Sequence, residues 1–157
     1  MLSPVIKFLA LLAFIIFASG AWRTWQIQHD SRAKTFLGGT LPNPKPDGLY
    51  SGTVSGQKVS WLGKKFNSAS STGVNVFDDG GAIKGERYPF ITSVGRGLVD
   101  SNLYVLKIDY NIPGNPFWLR FILDEIVQVA PNEYLGKLEV RIIPGYPFAL
   151  AYFELKK

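Results

Sequence analysis

Between Ile108 and Ala130 the chain reads IDYNIPGNPFWLRFILDEIVQVA, which sets Asp109, Arg120, Asp124 and Glu125 in very apolar surroundings. Charges in such a run must be paired, solvated or functional, because an isolated buried charge is too costly to hold. Three chemistries are open to these residues. An inward Arg120 would grip a ligand carboxylate or phosphate through two parallel hydrogen bonds, with Trp118 stacking on its guanidinium. Asp109 and Asp124 beside Arg120 would make an acid–base site if one carboxyl were held protonated. The same groups turned to water would be an ordinary exposed charge pair, contributing about 0–1 kcal/mol.

These side chains need strands to position them. Read as one strand, Phe117 to Ala130 places Trp118, Arg120, Ile122, Asp124, Ile126, Gln128 and Ala130 on one face, and Glu125 among aliphatics on the other. Lys107 and Asp109 share a face of the preceding strand, Leu103 to Tyr110. An Arg120–Asp109 cross-strand pair is expected if the Asn111–Pro116 connection makes the two strands neighbours.

Composition narrows the alternatives. The 157 residues allow one domain plus an N-terminal appendage, and 46% hydrophobic with 14% aromatic content suits a packed domain. There is no cysteine, so disulfides, Cys-based zinc sites and a thiol nucleophile are excluded. The single histidine, His29, precedes the domain, which removes a His-dependent triad and multi-His metal sites. No motif points to a cofactor. The net charge of +5 is spread over single or paired Lys and Arg, without the basic helix or cluster of a nucleic-acid binder. It suits a soluble, mildly basic surface or one drawn to anionic headgroups.

Along the chain, Met1 to Ala21 reads as a signal peptide or a membrane anchor. Lys7 is its one charged side chain, Phe8 to Ala18 is unbroken apolar sequence, and the small residues Ala18-Ser19-Gly20-Ala21 would suit cleavage. Uncleaved, residues 4–22 approach the length of a tilted span, with Trp22 and Trp25 at the interface. The domain is expected on the extracytoplasmic side, though charge does not decide orientation, since Lys7 precedes the apolar run and Arg23, Arg32 and Lys34 follow it. Residues 22–45 read as a helical stem, Trp25 to Leu37, followed by the extended, Pro-rich linker LPNPKPD. From Pro46 to Lys157 the pattern is β. Strands are expected near Leu49–Val54, Val59–Ser68, Gly73–Phe77, Arg87–Gly95, Leu103–Tyr110, Phe117–Ala130, Glu133–Ile143 and Phe148–Lys156. Asp78-Asp79-Gly80-Gly81 reads as a hairpin turn, since it lacks the ligand spacing of a calcium loop. Eight or nine short strands with large aromatics on most of them predict an all-β fold, an antiparallel barrel rather than a sandwich.

Gly48-Leu49-Tyr50-Ser51-Gly52, followed by Trp61-Leu62-Gly63-Lys64-Lys65-Phe66, resembles the GxWxG-motif families of the lipocalin-like (calycin) group, with Tyr50 in the tryptophan position. The segments Pro46 to Tyr50, Ile108 to Pro116 and Leu123 to Glu125 are similar to a set of uncharacterised bacterial envelope proteins. The resemblance implies a lipocalin-like barrel and no particular chemistry. An aromatic early in the first strand, at Tyr50, would plug one barrel end, and flanking glycines would let the chain pass close to it. The leading expectation is an envelope binding module for a lipid or other apolar or amphiphilic small molecule, lined by Tyr50, Trp61, Trp118, Arg120, Asp109 and Asp124. The alternatives are an enzyme using Asp109, Asp124 and Arg120 in the same cavity, and a structural protein with a filled barrel.

Overall fold

The computed structural model describes residues 3–57, 59–78 and 85–157. Among these, eight antiparallel strands close in sequence order into a barrel: β1 (Gly48–Val54), β2 (Trp61–Asn67), β3 (Thr72–Phe77), β4 (Gly85–Arg96), β5 (Tyr104–Asp109), β6 (Ile122–Ala130), β7 (Glu133–Ile143) and β8 (Tyr146–Lys156). Helices α1 (Pro4–Gln28) and α2 (Ser31–Gly38) precede them. The expected turn at Asp78-Asp79-Gly80-Gly81 falls largely outside the described residues.

Period-two alternation decides what faces inward. Leu106 and Ile108 of β5 and Ile126 of β6 point into the barrel, where they join Tyr50, Phe66, Phe90, Tyr134, Phe153 and Leu155. Val105, Val127, Leu135, Ala149 and Tyr152 point outward and are buried all the same, because Ile27 of α1 and Phe36 of α2 cover them. The wall therefore has two apolar faces over part of its circumference.

One end of the barrel is plugged. The Tyr50 ring meets Phe66 and Tyr134 edge-on at 5.8 and 5.3 Å, and Phe66 meets Phe90 at 5.3 Å. Gly63, at φ +139°, permits this packing of β1 on β2, since a Cβ there would stand 1.9 Å from the Tyr50 carbonyl oxygen. The Pro-rich segment expected as a free linker is instead a strap at this plugged end. Thr40 and Gln128 exchange backbone hydrogen bonds at 3.0 and 2.7 Å, and Asn43 N–H donates to Gln128 Oε1 at 3.0 Å. Leu41 packs on the interior cluster and Pro46 is fully buried. The prolines leave few backbone donors to satisfy, and Gln128 serves two that remain.

Helix α1 runs parallel to β8. Phe17 packs against Tyr146 and Phe148, and Gly20 lies so close to Phe148 that a Cβ would come within 2.7 Å of the ring. Arg23 Nε donates to the Leu150 carbonyl at 2.7 Å, and Thr24 Oγ1 accepts the Ala149 N–H at 3.0 Å. The stem expected from Trp25 thus belongs partly to α1. The helix continues to Gln28 and breaks at His29-Asp30, where Asp30 caps α2 by accepting from Arg32 N–H.

The strand expected from Phe117 to Ala130 also begins later. Leu119 N–H bonds to the Pro116 carbonyl and Arg120 N–H to the Phe117 carbonyl, winding Leu119–Phe121 into a 3-10 turn before β6 starts at Ile122. The turn drives Leu119 into the core and leaves Phe117, Trp118 and Arg120 exposed.

Phe36 is fully buried between α2 and the outer barrel wall. Phe36→Ala should cost about 3–5 kcal/mol by urea unfolding, whereas the exposed neighbour substitution Leu37→Ala should stay within about 0.5 kcal/mol. Matching midpoints for the two variants would contradict the docking of α2.

Candidate functional site

Lys64 is in the middle of β2, and its side chain is buried inside the barrel at 2% exposure. Its ammonium has three acceptors: Asp124 Oδ2 at 2.8 Å, Asn75 Oδ1 at 2.9 Å and the Tyr110 hydroxyl in a very short contact. Strand register makes the meeting inevitable. Lys64 pairs with Asn75 across β2 and β3, and Asp124 faces inward from β6 opposite Ile108 of β5, two residues before Tyr110. Four rings surround the ammonium, those of Trp61, Phe90, Tyr110 and Phe153, each 5.1–5.4 Å away. Aromatic faces at this range favour a cation.

The layer around the ammonium is nearly saturated. Trp61 Nε1 donates to Asn75 Oδ1 at 2.9 Å, Asn75 Nδ2 donates to the Tyr88 carbonyl and the Tyr110 hydroxyl at 3.1 Å, and Tyr110 donates to Asp124 Oδ2 at 3.0 Å. One atom stands apart. Asp124 Oδ1 is buried and receives no hydrogen bond from the protein. Burial pulls the Lys64 ammonium below its ordinary range against the pull of Asp124. Burial, then the Asp124 charge, pushes the Tyr110 phenol far up, so Tyr110 remains a neutral donor.

Beside this layer lies a cavity of about 310 Å³, lined by Lys64, Asn75, Tyr110 and Asp124 and by the apolar surfaces of Val54, Phe77, Tyr88, Ile122 and Phe153, among others. Trp61, Trp118 and Leu119 complete its rim. The lining comes chiefly from the barrel end that carries the β1–β2 and β5–β6 connections, opposite the Tyr50 plug.

Three of the six ligand-binding residues expected from sequence line this cavity: Asp124, Trp61 and Trp118. Tyr50 is interior but belongs to the plug. Arg120 and Asp109 do not reach the interior. Arg120 sits on the 3-10 turn, exposed, with Nε donating to Asn111 Oδ1 at 3.0 Å. Asp109 faces outward and pairs with Arg141 of β7 at 2.7 Å, in place of the expected Arg120. The expected constellation of Asp109, Asp124 and Arg120 therefore does not assemble, because the turn at Leu119–Phe121 breaks the strand phase that would have aligned Arg120 with Asp124. Lys64, Asn75 and Tyr110, which complete the layer, are not among the site residues that sequence pattern points to. Their sequence trace is Lys64 two residues before the apolar Phe66, which puts the two on one strand face, and the bulge between Trp61 and Gly63 brings Trp61 onto that same face.

A second charged cluster lies on the outer wall beneath α2 and the β4–β5 connection. Glu125, Lys137 and Glu139 are buried there at 0–1% exposure. Lys137 Nζ lies 3.0 Å from Glu139 Oε1 and in close contact with Asp100, with the Phe36 ring 4.6 Å from it. Glu125 accepts the Leu98 N–H at 2.7 Å, and Lys107 is 3.9 Å from it. Neither Glu139 oxygen receives a geometrically sound hydrogen bond. Burial, opposed by Lys137 and reinforced by the Glu125 charge, pushes Glu139 up to about 7.

The fold and cavity define a class, a small closed up-and-down β-barrel with a polar floor and an apolar mouth. No protein-family model matches the chain, nor does any curated protein or solved structure.

The two clusters should respond differently to titration and mutation. Lys64→Met strands the Asp124 carboxylate and should lower stability by about 3–5 kcal/mol, and adding Asp124→Leu should restore most of it. Urea unfolding of the single and double variants checks this, and a single variant as stable as wild type would refute the buried pair. For Glu139 the folded group titrates near 7 and the unfolded one near 4.5, so the folded state holds the extra proton between them. Stability should fall as pH rises through that window, by up to about 3 kcal/mol. Glu139→Gln should be more stable than wild type at pH 8 and flatter between pH 5 and 7.5. A wild-type stability that rises over this range would contradict the assignment.

Proposed function

We propose that this protein is a membrane-anchored envelope binding module for a small amphiphile, held with its apolar body in the barrel cavity and a hydroxyl or N–H donating to Asp124. The orphaned Asp124 Oδ1 on the floor of an apolar cavity carries this reading. A buried carboxylate oxygen without a donor is costly, and a ligand donor removes that cost while apolar walls supply the bulk of affinity. Lys64 favours the same ligand class by elimination. All three of its protons are engaged by protein acceptors, so it has neither a proton to offer an anionic ligand nor a lone pair for nucleophilic attack.

The structural alternative with a filled interior is less well supported, given a cavity of about 310 Å³. The enzyme alternative loses two of its three residues to the outside wall and the rim. Retention of α1 is supported by its contacts with β8 from Phe17 to Ile27, which removal of residues 1–20 or 1–21 would cut in part. A lipocalin-like relationship remains part of the proposal, resting on the barrel and on Tyr50 as its plug.

N-phenyl-1-naphthylamine, an apolar aromatic with a single N–H donor, tests the reading. Its fluorescence should rise saturably on titration of the full chain. Ala151→Phe, which fills the cavity, should abolish the rise, and Asp124→Asn should weaken binding roughly tenfold, as expected for a hydrogen bond to a charged acceptor. Undiminished binding by Ala151→Phe would place the probe elsewhere and overturn the assignment.

A further inference from the structure

We infer that the cavity mouth is a membrane-contacting face, seated in the headgroup region of the bilayer that α1 enters, so that the amphiphile passes between barrel and lipid without crossing water. The inference rests on the reading of α1 as a retained anchor and adds to it an orientation.

Three observations converge on it. The first is direction. Because α1 runs parallel to β8, its contacts begin at Phe17, beside Tyr146 at the start of β8, and proceed to Ile27 farther along the strand. The β7–β8 turn is at the same barrel end as the β1–β2 and β5–β6 connections, since alternate connections of an up-and-down barrel share an end. Residues 4–16 therefore project past the end where the cavity opens, and they are exposed throughout.

The second is length. Residues 4–16 make a projection of roughly 20 Å at ~1.5 Å per residue. The hydrocarbon core is about 30 Å thick. An apolar helix of this kind, Pro4–Gln28, spans only if the part level with the barrel rim also enters the membrane, and this draws the rim into the interface.

The third is the surface chemistry of the rim. Phe117 is 76% exposed, Trp118 58%, Ile142 53% and Tyr146 59%. Phe117 and Phe121 stack edge-on at 5.0 Å around Arg120, whose bonding partner is the neutral Asn111 amide. Aromatics with an arginine among them match the headgroup layer, where rings are favoured and a cation meets lipid phosphate.

The chain has no cysteine, so single labels can be placed at will. Full-length protein carrying Ala10→Cys, Phe117→Cys, Ile142→Cys or Asn132→Cys would be spin-labelled and reconstituted into phosphatidylcholine vesicles containing one quarter phosphatidylglycerol. Accessibility to oxygen and to a water-soluble nickel chelate is then read by electron paramagnetic resonance. Nickel accessibility at 117 and 142 should be severalfold lower than at 132, in the turn at the plugged end, and the label at 10 should be in lipid. A lipid-buried label at 10 with 117 and 142 as water-exposed as 132 would overturn the membrane-facing mouth while leaving the anchor intact. A water-exposed label at 10 would overturn the anchor reading and this inference together.

Discussion

Four residues of β1, Ser51–Val54, pair with β8, although β8 runs from Tyr146 to Lys156. The barrel closes over that short seam, and the first half of β8 is left without a β1 partner. An open strand edge exposes unpaired backbone groups and invites association. Here α1 covers it with side chains. Thr24 takes the Ala149 N–H and Arg23 gives to the Leu150 carbonyl, two groups that a neighbouring strand would otherwise serve. From this constraint follow the course of α1 along β8, the close approach at Gly20, the docking of Ile27 and Phe36 on the outer wall, and the end of the barrel from which the apolar half of α1 emerges.

The interior is built in layers along the barrel axis. Aromatic rings close one end, a single polar layer crosses the middle, and an apolar cavity opens at the other end. A lysine in such a place is expensive unless its charge is matched, and Asp124, Asn75 and Tyr110 match it from three other strands or their ends. The match ties β2, β3, β5 and β6 together through directional bonds that apolar packing cannot provide, and it leaves one carboxylate oxygen over.

The outer cluster of Glu125, Lys137, Glu139 and Asp100 is the counterpart on the other face of the same strands. It has an excess of carboxylates for its cations at close range, and a proton on Glu139 near neutral pH relieves it. It is covered by Phe36 and the β4–β5 connection instead of opening to the cavity, so its energetics concern the docking of α2 more than ligand binding. The two clusters alternate along β6, Asp124 inward and Glu125 outward, and adjacent carboxylates thereby acquire unrelated surroundings.

The sequence by itself determined what local pattern can encode. Alternation and turn chemistry specified an antiparallel β domain after an apolar N-terminal helix, and left open whether Asp124 and Trp118 faced water or the interior and whether Tyr50 was a plug or plain core. Tertiary structure alone decided the rest, for reasons of phase and edge. Two bonded turns at Pro116–Arg120 shifted the strand start to Ile122 and sent Arg120 outward, a change that no two-residue repeat can announce. The pairing of β2 with β3 set Lys64 beside Asn75 and a bulge at Trp61/Gly63 put Trp61 on the same face, while Tyr110 and Asp124 arrived from chain some fifty residues later. Asp109 found Arg141 because β7 lies beyond β6 in the closed barrel, and long-range pairing of this kind is set by closure, not by neighbouring sequence.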